Sequence, residues 1–160
     1  MKPSLTELSR PALAAYGIHI LEEFTFDWRN WARNVLRLPV IWEQFYVTNA
    51  LVIVLGVVAA ELAATVPVLA LGFPALMLIS ATFFHVLPFV TARGRFSPGL
   101  ITALALFYPI GTACYWRAAA DGQLGAGTLA GALLLGAAPM ATPVVTLKLK
   151  DRPYFRQDRP

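Results

Sequence analysis

The stretch His19-Ile20-Leu21-Glu22-Glu23 puts an imidazole and two carboxylates into about one turn of chain. If the stretch is helical, spacings of three and four residues bring Glu22 and Glu23 onto the face that carries His19. A nitrogen and two carboxylates pointing one way suit a divalent transition metal, or a base with a carboxylate partner. The structural alternative is a turn at a membrane surface that ends in ordinary solvated glutamates. Two further polar residues, Asn49 and His85, stand in apolar stretches, where such groups are costly and are functional candidates by default. A buried neutral imidazole bonded to a neighbouring helix, or an amide joining two helices, would account for the same residues without chemistry.

The elements that must position these groups read as membrane helices. The chain of 160 residues is 58% apolar and only 14% charged, with mean hydropathy +0.61, well beyond a typical soluble domain. This predicts an all-α fold, a polytopic membrane helix bundle forming a single domain over residues 1–160. Its net charge of +4 is then a topology signal rather than a footprint for nucleic acid, which is not expected as a partner. A helix needs about 20 residues to cross the hydrocarbon core. The runs 45–66, 72–91, 98–117 and 126–147 meet this, with Pro67, Gly72 and Pro74 read as the turn between the first two. Ser97-Pro98-Gly99 is expected to open the third run, with a capping residue before proline.

Residues 5–26 carry the His/Glu turn but also Glu7 and Arg10, and admit either a fifth crossing or an interfacial helix. With five crossings, ten of the 13 basic residues fall on one side and Lys2, Arg10 and Arg117 on the other, as the positive-inside rule requires. That orientation puts the C-terminus in the cytoplasm and the protein in the cell (inner) membrane. Residues 27–43, rich in Trp and Arg, are expected to form an amphipathic segment at the cytoplasmic surface, among membrane lipids, or a solvated loop. Residues 148–160 form a short basic tail along that surface. No cleavable signal peptide is expected, and the single cysteine, Cys114, is read as a packing residue. Glu61 reads as a snorkelling helix-end residue; Tyr108 and Tyr115 read as packing or interfacial residues.

Because successive helices alternate direction, His19, Glu22, Glu23, Asn49, His85, Thr102 and Thr142 fall in one layer near the cytoplasmic side. Two imidazoles and two carboxylates match the ligand sets of zinc hydrolases and of non-haem iron centres. On this reading His19, Glu23 and His85 are ligands of one divalent ion, zinc or iron. Glu22 is the general base or a fourth ligand, and Asn49 a hydrogen-bond donor to substrate or to a ligand. The expected activity is a metal-dependent enzyme acting on a lipid or hydrophobic small molecule. The alternatives are a proton or metal-ion transporter or channel subunit, and a metal-free acid–base isomerase or cyclase of lipids.

With His19, Glu22 and Glu23 in place, the chain resembles the HXXEE family, small bacterial and fungal integral membrane proteins named for that motif. Asn49 opening the next span, His85 late in the third, and the Ser97-Pro98-Gly99-Leu100 turn leading to Thr102 support the resemblance, which covers most of residues 15–147. It implies that these polar residues act as one unit; it supplies no substrate.

Overall fold

The computed structural model describes residues 3–150 and 152–155, so the end of the expected tail, and Lys2, lie outside the described residues. The fold is all-α, and the described residues contain no strand. Helix α1 spans Leu5–Thr25. Its start is fixed by a reciprocal cap: the Ser4 hydroxyl accepts from the Glu7 backbone N–H at 3.2 Å, and the Glu7 carboxylate accepts from the Ser4 N–H at 2.7 Å. Asp27, in the left-handed region at φ 55°, reverses the chain into α2, residues 28–36. Helix α2 stops short of the surface segment expected over 27–43. Pro39 disfavours helical backbone at the residue before it and offers no N–H, so residues 37–41 form a non-helical strap. Trp31, Ala32 and Val40 bury against one another and tie the strap back onto α2.

Helix α3 (Trp42–Glu61) and helix α4 (Pro67–Thr91) are long and apolar enough to cross a membrane. Helix α4 begins earlier than expected. Proline is favoured in the first turn of a helix, where its missing N–H would have no partner anyway, so Pro67 starts the helix and Gly72 and Pro74 fall inside it. Gly72 is used for packing, since a Cβ there would stand 3.0 Å from the Leu135 side chain. Helix α5 covers residues 100–120 and helix α6 residues 126–150, its turn at Ala138–Ala141 tightened where Pro139 interrupts the bonding. Of the five expected spans, two meet the requirements of length and apolarity together. Helix α1 carries Glu7, Arg10, Glu22 and Glu23; α5 carries Tyr108, Pro109, Tyr115, Trp116 and Arg117; the apolar part of α6, Ala126–Ala141, is shorter.

Helix α4 is central and packs on α1, α3, α5 and α6. Tyr16, Phe73, Leu76, Met77 and Phe107 form the inner core. Both α4 and α5 contain wide turns, at Ala81–Val86 and Ala103–Phe107, each followed closely by proline (Pro88, Pro109). Such wide turns accumulate at functional sites, and the first contains His85.

Close approach of α6 to α4 depends on Gly136: a Cβ there would lie 2.6 Å from the Leu76 nitrogen and 2.7 Å from the Ala75 side chain. Gly136→Ala is therefore expected to destabilise the bundle by about 1–3 kcal/mol through overpacking. Gly17→Ala, with nothing within 4 Å, should be neutral or raise stability by up to about 1 kcal/mol. Thermal unfolding of both variants in one detergent checks the contrast.

Candidate metal centre

Three elements build one buried cluster. Helix α1 contributes His19, Glu22 and Glu23; α4 contributes His85; the α4–α5 connection and the first turn of α5 contribute Ser97, Gly99 and Thr102. His19 and His85, 66 positions apart in the chain, stand edge to face with ring centres 4.7 Å apart, and both are fully enclosed at 1% and 0% exposure. Gly99 makes this approach possible. It holds φ +94°, and a Cβ there would be 2.5 Å from His85 Cε1 and 2.7 Å from His19 Cε1, so only a glycine lets the loop close over both rings.

Helix α5 has its leading N–H groups uncovered, because Gly99 occupies the capping position and carries no side chain. Ser97, expected to cap, is directed elsewhere. The cap comes from another helix: Glu22 accepts from the Ile101 N–H at 3.1 Å, the Thr102 N–H at 2.8 Å and the Thr102 hydroxyl at 2.6 Å. Negative charge at a helix N-terminus is favourable, more so when buried. The carboxylate expected as base or fourth ligand is thus committed on both oxygens.

That commitment sets the proton on His19. The Thr102 hydroxyl has one proton, and the charged acceptor Glu22 at 2.6 Å outcompetes the Gly99 carbonyl at 3.2 Å. Its oxygen is left to accept from His19 Nδ1–H, 2.7 Å away. Nε2 of His19 then carries a lone pair. A parallel chain acts on His85. Pro88 cannot donate to the Phe84 carbonyl four residues earlier, and Ser97 Oγ donates to that carbonyl at 3.4 Å. The Ser97 oxygen in turn accepts from His85 Nδ1–H at 3.2 Å. Nε2 of His85 is buried without any hydrogen-bond partner.

Both lone pairs face Glu23 Oε1, each at 3.6 Å. Three acceptors thus converge without a proton assigned between them, an arrangement that is costly unless a cation occupies the centre. The ligand atoms of His19, Glu23 and His85 lie within 4.8 Å of one another. A point roughly 2.4 Å or less from all three therefore exists, close to zinc–nitrogen and zinc–oxygen bonds of about 2.0–2.2 Å. The cluster could hold a metal ion.

On one side the cluster borders an apolar cavity of about 310 Å³, within the range of small-molecule sites. His19 and Glu23 form part of its wall, with His85 behind them; Tyr16, Trp28, α3, the 37–41 strap, α4, and Met140 and Pro143 of α6 form the rest. Asn49 lines the cavity but does not join the cluster. Its oxygen accepts from the Tyr16 hydroxyl at 2.7 Å and its amide donates to the Phe45 carbonyl at 2.9 Å. Thr142 offers its carbonyl to Thr146 within α6, and Glu61 is exposed at the end of α3. Tyr108 bonds Thr82 at 2.9 Å, Tyr115 bonds the Leu71 carbonyl at 3.2 Å, and Cys114 is buried among apolar side chains. Sequence reasoning missed Tyr16, the role of Ser97, and Gly99. The Ser-Pro-Gly turn was the available signal, but it reads as a helix start until the rings beneath it are seen.

A helical bundle with two imidazoles and a carboxylate converging beside an apolar cavity defines a class of candidate metalloprotein. The chain belongs to the family described as proteins of unknown function with an HXXEE motif, whose model matches residues 11–114. That range contains every residue of the cluster and ends within α5. No curated protein and no solved structure matches the chain.

Thr102→Val removes the hydroxyl that joins Glu22 to His19 and leaves buried polar groups unpaired. A loss of about 1–3 kcal/mol is expected. Thr112→Val, at an exposed threonine bonded only within its own helix, should change stability by less than about 0.5 kcal/mol. Comparison of their unfolding midpoints checks the difference.

Proposed function

We propose that this protein is an integral membrane, metal-dependent enzyme that acts on a lipid or another hydrophobic small molecule. In this reading His19, Glu23 and His85 hold one divalent ion, zinc or iron. Two histidines and one carboxylate are the donor set of both zinc hydrolases and non-haem iron enzymes, and they leave positions open for substrate. A bound ion would supply Lewis-acid or redox chemistry there. Glu22 acts as a positioning residue through Thr102, and Asn49 as the residue that fixes the Tyr16 hydroxyl in the cavity wall. The reading includes five crossings, with the C-terminal end and the basic connections on the cytoplasmic side of the cell membrane. The observation that carries it is the pair of imidazole Nε2 atoms, each 3.6 Å from one carboxylate oxygen of Glu23.

Transport of a proton or metal ion is the less favoured reading. Phe107 lies tilted against the His19 ring at 4.3 Å and stacks on Tyr16, which meets Phe73 edge-on, so among the described residues the polar groups give way to an aromatic layer instead of continuing as a file.

Purified full-length protein incubated with zinc, or with ferrous iron under anaerobic conditions, should retain about one equivalent per chain after desalting. His19→Ala, Glu23→Ala and His85→Ala should each abolish retention, while Asn49→Ala should keep it. Metal-loaded protein, but not His85→Ala, should alter a component of a membrane lipid extract followed by mass spectrometry. Wild-type protein that retains no metal would sink the proposal.

A further inference from the structure

One hydroxyl in the cavity wall is left free by the fold. In a helix that lies among apolar groups, serine and threonine commonly return their hydroxyl to the carbonyl four residues earlier. Ser9, Thr82, Thr91, Thr112 and Thr146 all do so, at 2.6–3.0 Å. Ser80 does not. It is 8% exposed, and its side chain makes no hydrogen bond among the described residues. The hydroxyls of the other buried residues, Ser9, Ser97 and Thr102, are all bonded. Buried polar groups are nearly always paired, so an unpartnered one marks the place of a missing partner.

Ser80 lines the cavity beside the cluster. Helix α4 is packed between α1, α3, α5 and α6, so the surface that Ser80 keeps opens into that cavity. Trp28 Nε1 and Thr48 Oγ1 also lack partners, but neighbouring atoms seal them off, whereas Ser80 Oγ remains accessible. Other polar side chains of the wall are already used: Tyr16 with Asn49, and Gln44 with the Pro143 carbonyl at 3.2 Å. His85 follows Ser80 by five residues, one turn of the widened segment Ala81–Val86, and Phe84 on that turn lines the same cavity. The free hydroxyl therefore stands one turn of α4 from a residue of the cluster, in a wall that His19 and Glu23 share.

We propose that Ser80 recognises the substrate, its hydroxyl bonding an oxygen function carried on an otherwise apolar chain of medium length. The inference rests on the enzyme reading above and adds to it the residue and the chemistry that select the molecule. A serine hydroxyl has one proton to give and two lone pairs, so alcohol, ketone and carboxyl oxygens all suit it. A plain hydrocarbon fills the apolar wall but leaves the hydroxyl buried and unpaired, which is costly. At about 30 Å³ for a water-sized group, 310 Å³ takes on the order of ten such groups, which sets the length of the chain.

The test uses full-length protein in nanodiscs and a decanol carrying a photo-reactive diazirine on its chain, with the labelled positions mapped by mass spectrometry. Metal content is measured on the same samples. Unlabelled 1-decanol, 2-decanone, decanoate and decane compete, each counted per mole present in the bilayer. In the wild type the best oxygen-bearing chain should compete for cavity labelling about fivefold or more better than decane, as one buried hydrogen bond implies. Which of the three competes best identifies the oxygen function. Ser80→Ala should bring that ratio close to one while keeping the metal of the wild type and its competition by decane. Ser80→Cys, a weaker donor of similar size, should give an intermediate ratio. Ser9→Ala removes a buried but bonded hydroxyl outside the cavity and should leave the ratio unchanged. A wild-type ratio near one, a wild-type ratio preserved in Ser80→Ala, or labelling confined to residues outside the cavity would overturn the inference. The oxygen preference in protein that retains no metal would remove the metal reading and leave this inference standing. Metal-retaining protein without the preference would do the reverse.

Discussion

The carboxylate of Glu22, seated on the first N–H groups of α5, is the interaction on which the rest of the site depends. It answers a need that arises in any helix whose cap position lacks a side chain. It also docks α1 against α5 at one defined height, because the two N–H groups and the Thr102 hydroxyl accept only one placement of the acid. The proton arrangement follows from this contact. Thr102 is turned into an acceptor for His19, and the far nitrogen of that ring becomes free to face Glu23. One glutamate of the motif organises, and the adjacent one is left facing the cluster centre and the cavity.

The prolines contribute in the opposite way, by withholding hydrogen bonds. Pro88 leaves the Phe84 carbonyl available to Ser97, and through Ser97 the orientation of His85 is set. The wide turn in which His85 sits and the proline that follows belong together. A regular helix there would satisfy its carbonyls internally and offer nothing to the loop. Gly99 then allows the loop itself to descend onto both rings.

Much of this was legible in the sequence. Hydropathy pointed to an all-α fold, and the spacing of His19, Glu22 and Glu23 placed them on one face. Alternation of helix direction put His85 at the same depth. What sequence could not resolve was the division of labour between the two glutamates, since both spacings are compatible with a shared face and only the position of α5 distinguishes them. Pro67 and Pro74 were read alike as turn residues, although one starts α4 and the other lies within it. Propensity marks a proline as exceptional without saying which exception applies. Ser97 was read through local capping rules and is used instead across the bundle, a contact 12 residues away that no local pattern encodes. The short α2 and its strap reflect Pro39, whose effect on the preceding residue outweighed the amphipathic pattern around it.

The bonds around the rings have a mechanical corollary. Helices α1, α4 and α5 are braced to one another by a mesh of short polar ties, whereas the opposite wall meets them mainly through van der Waals contact. Across that seam the described hydrogen bond is the Tyr16–Asn49 bond between α1 and α3, while within the opposite wall Gln44 bonds the Pro143 carbonyl and ties α3 to α6. The imidazole side is therefore held by directed bonds, and parting α3 from α6 would break the Gln44–Pro143 bond while leaving those around His19, Glu22 and His85 in place.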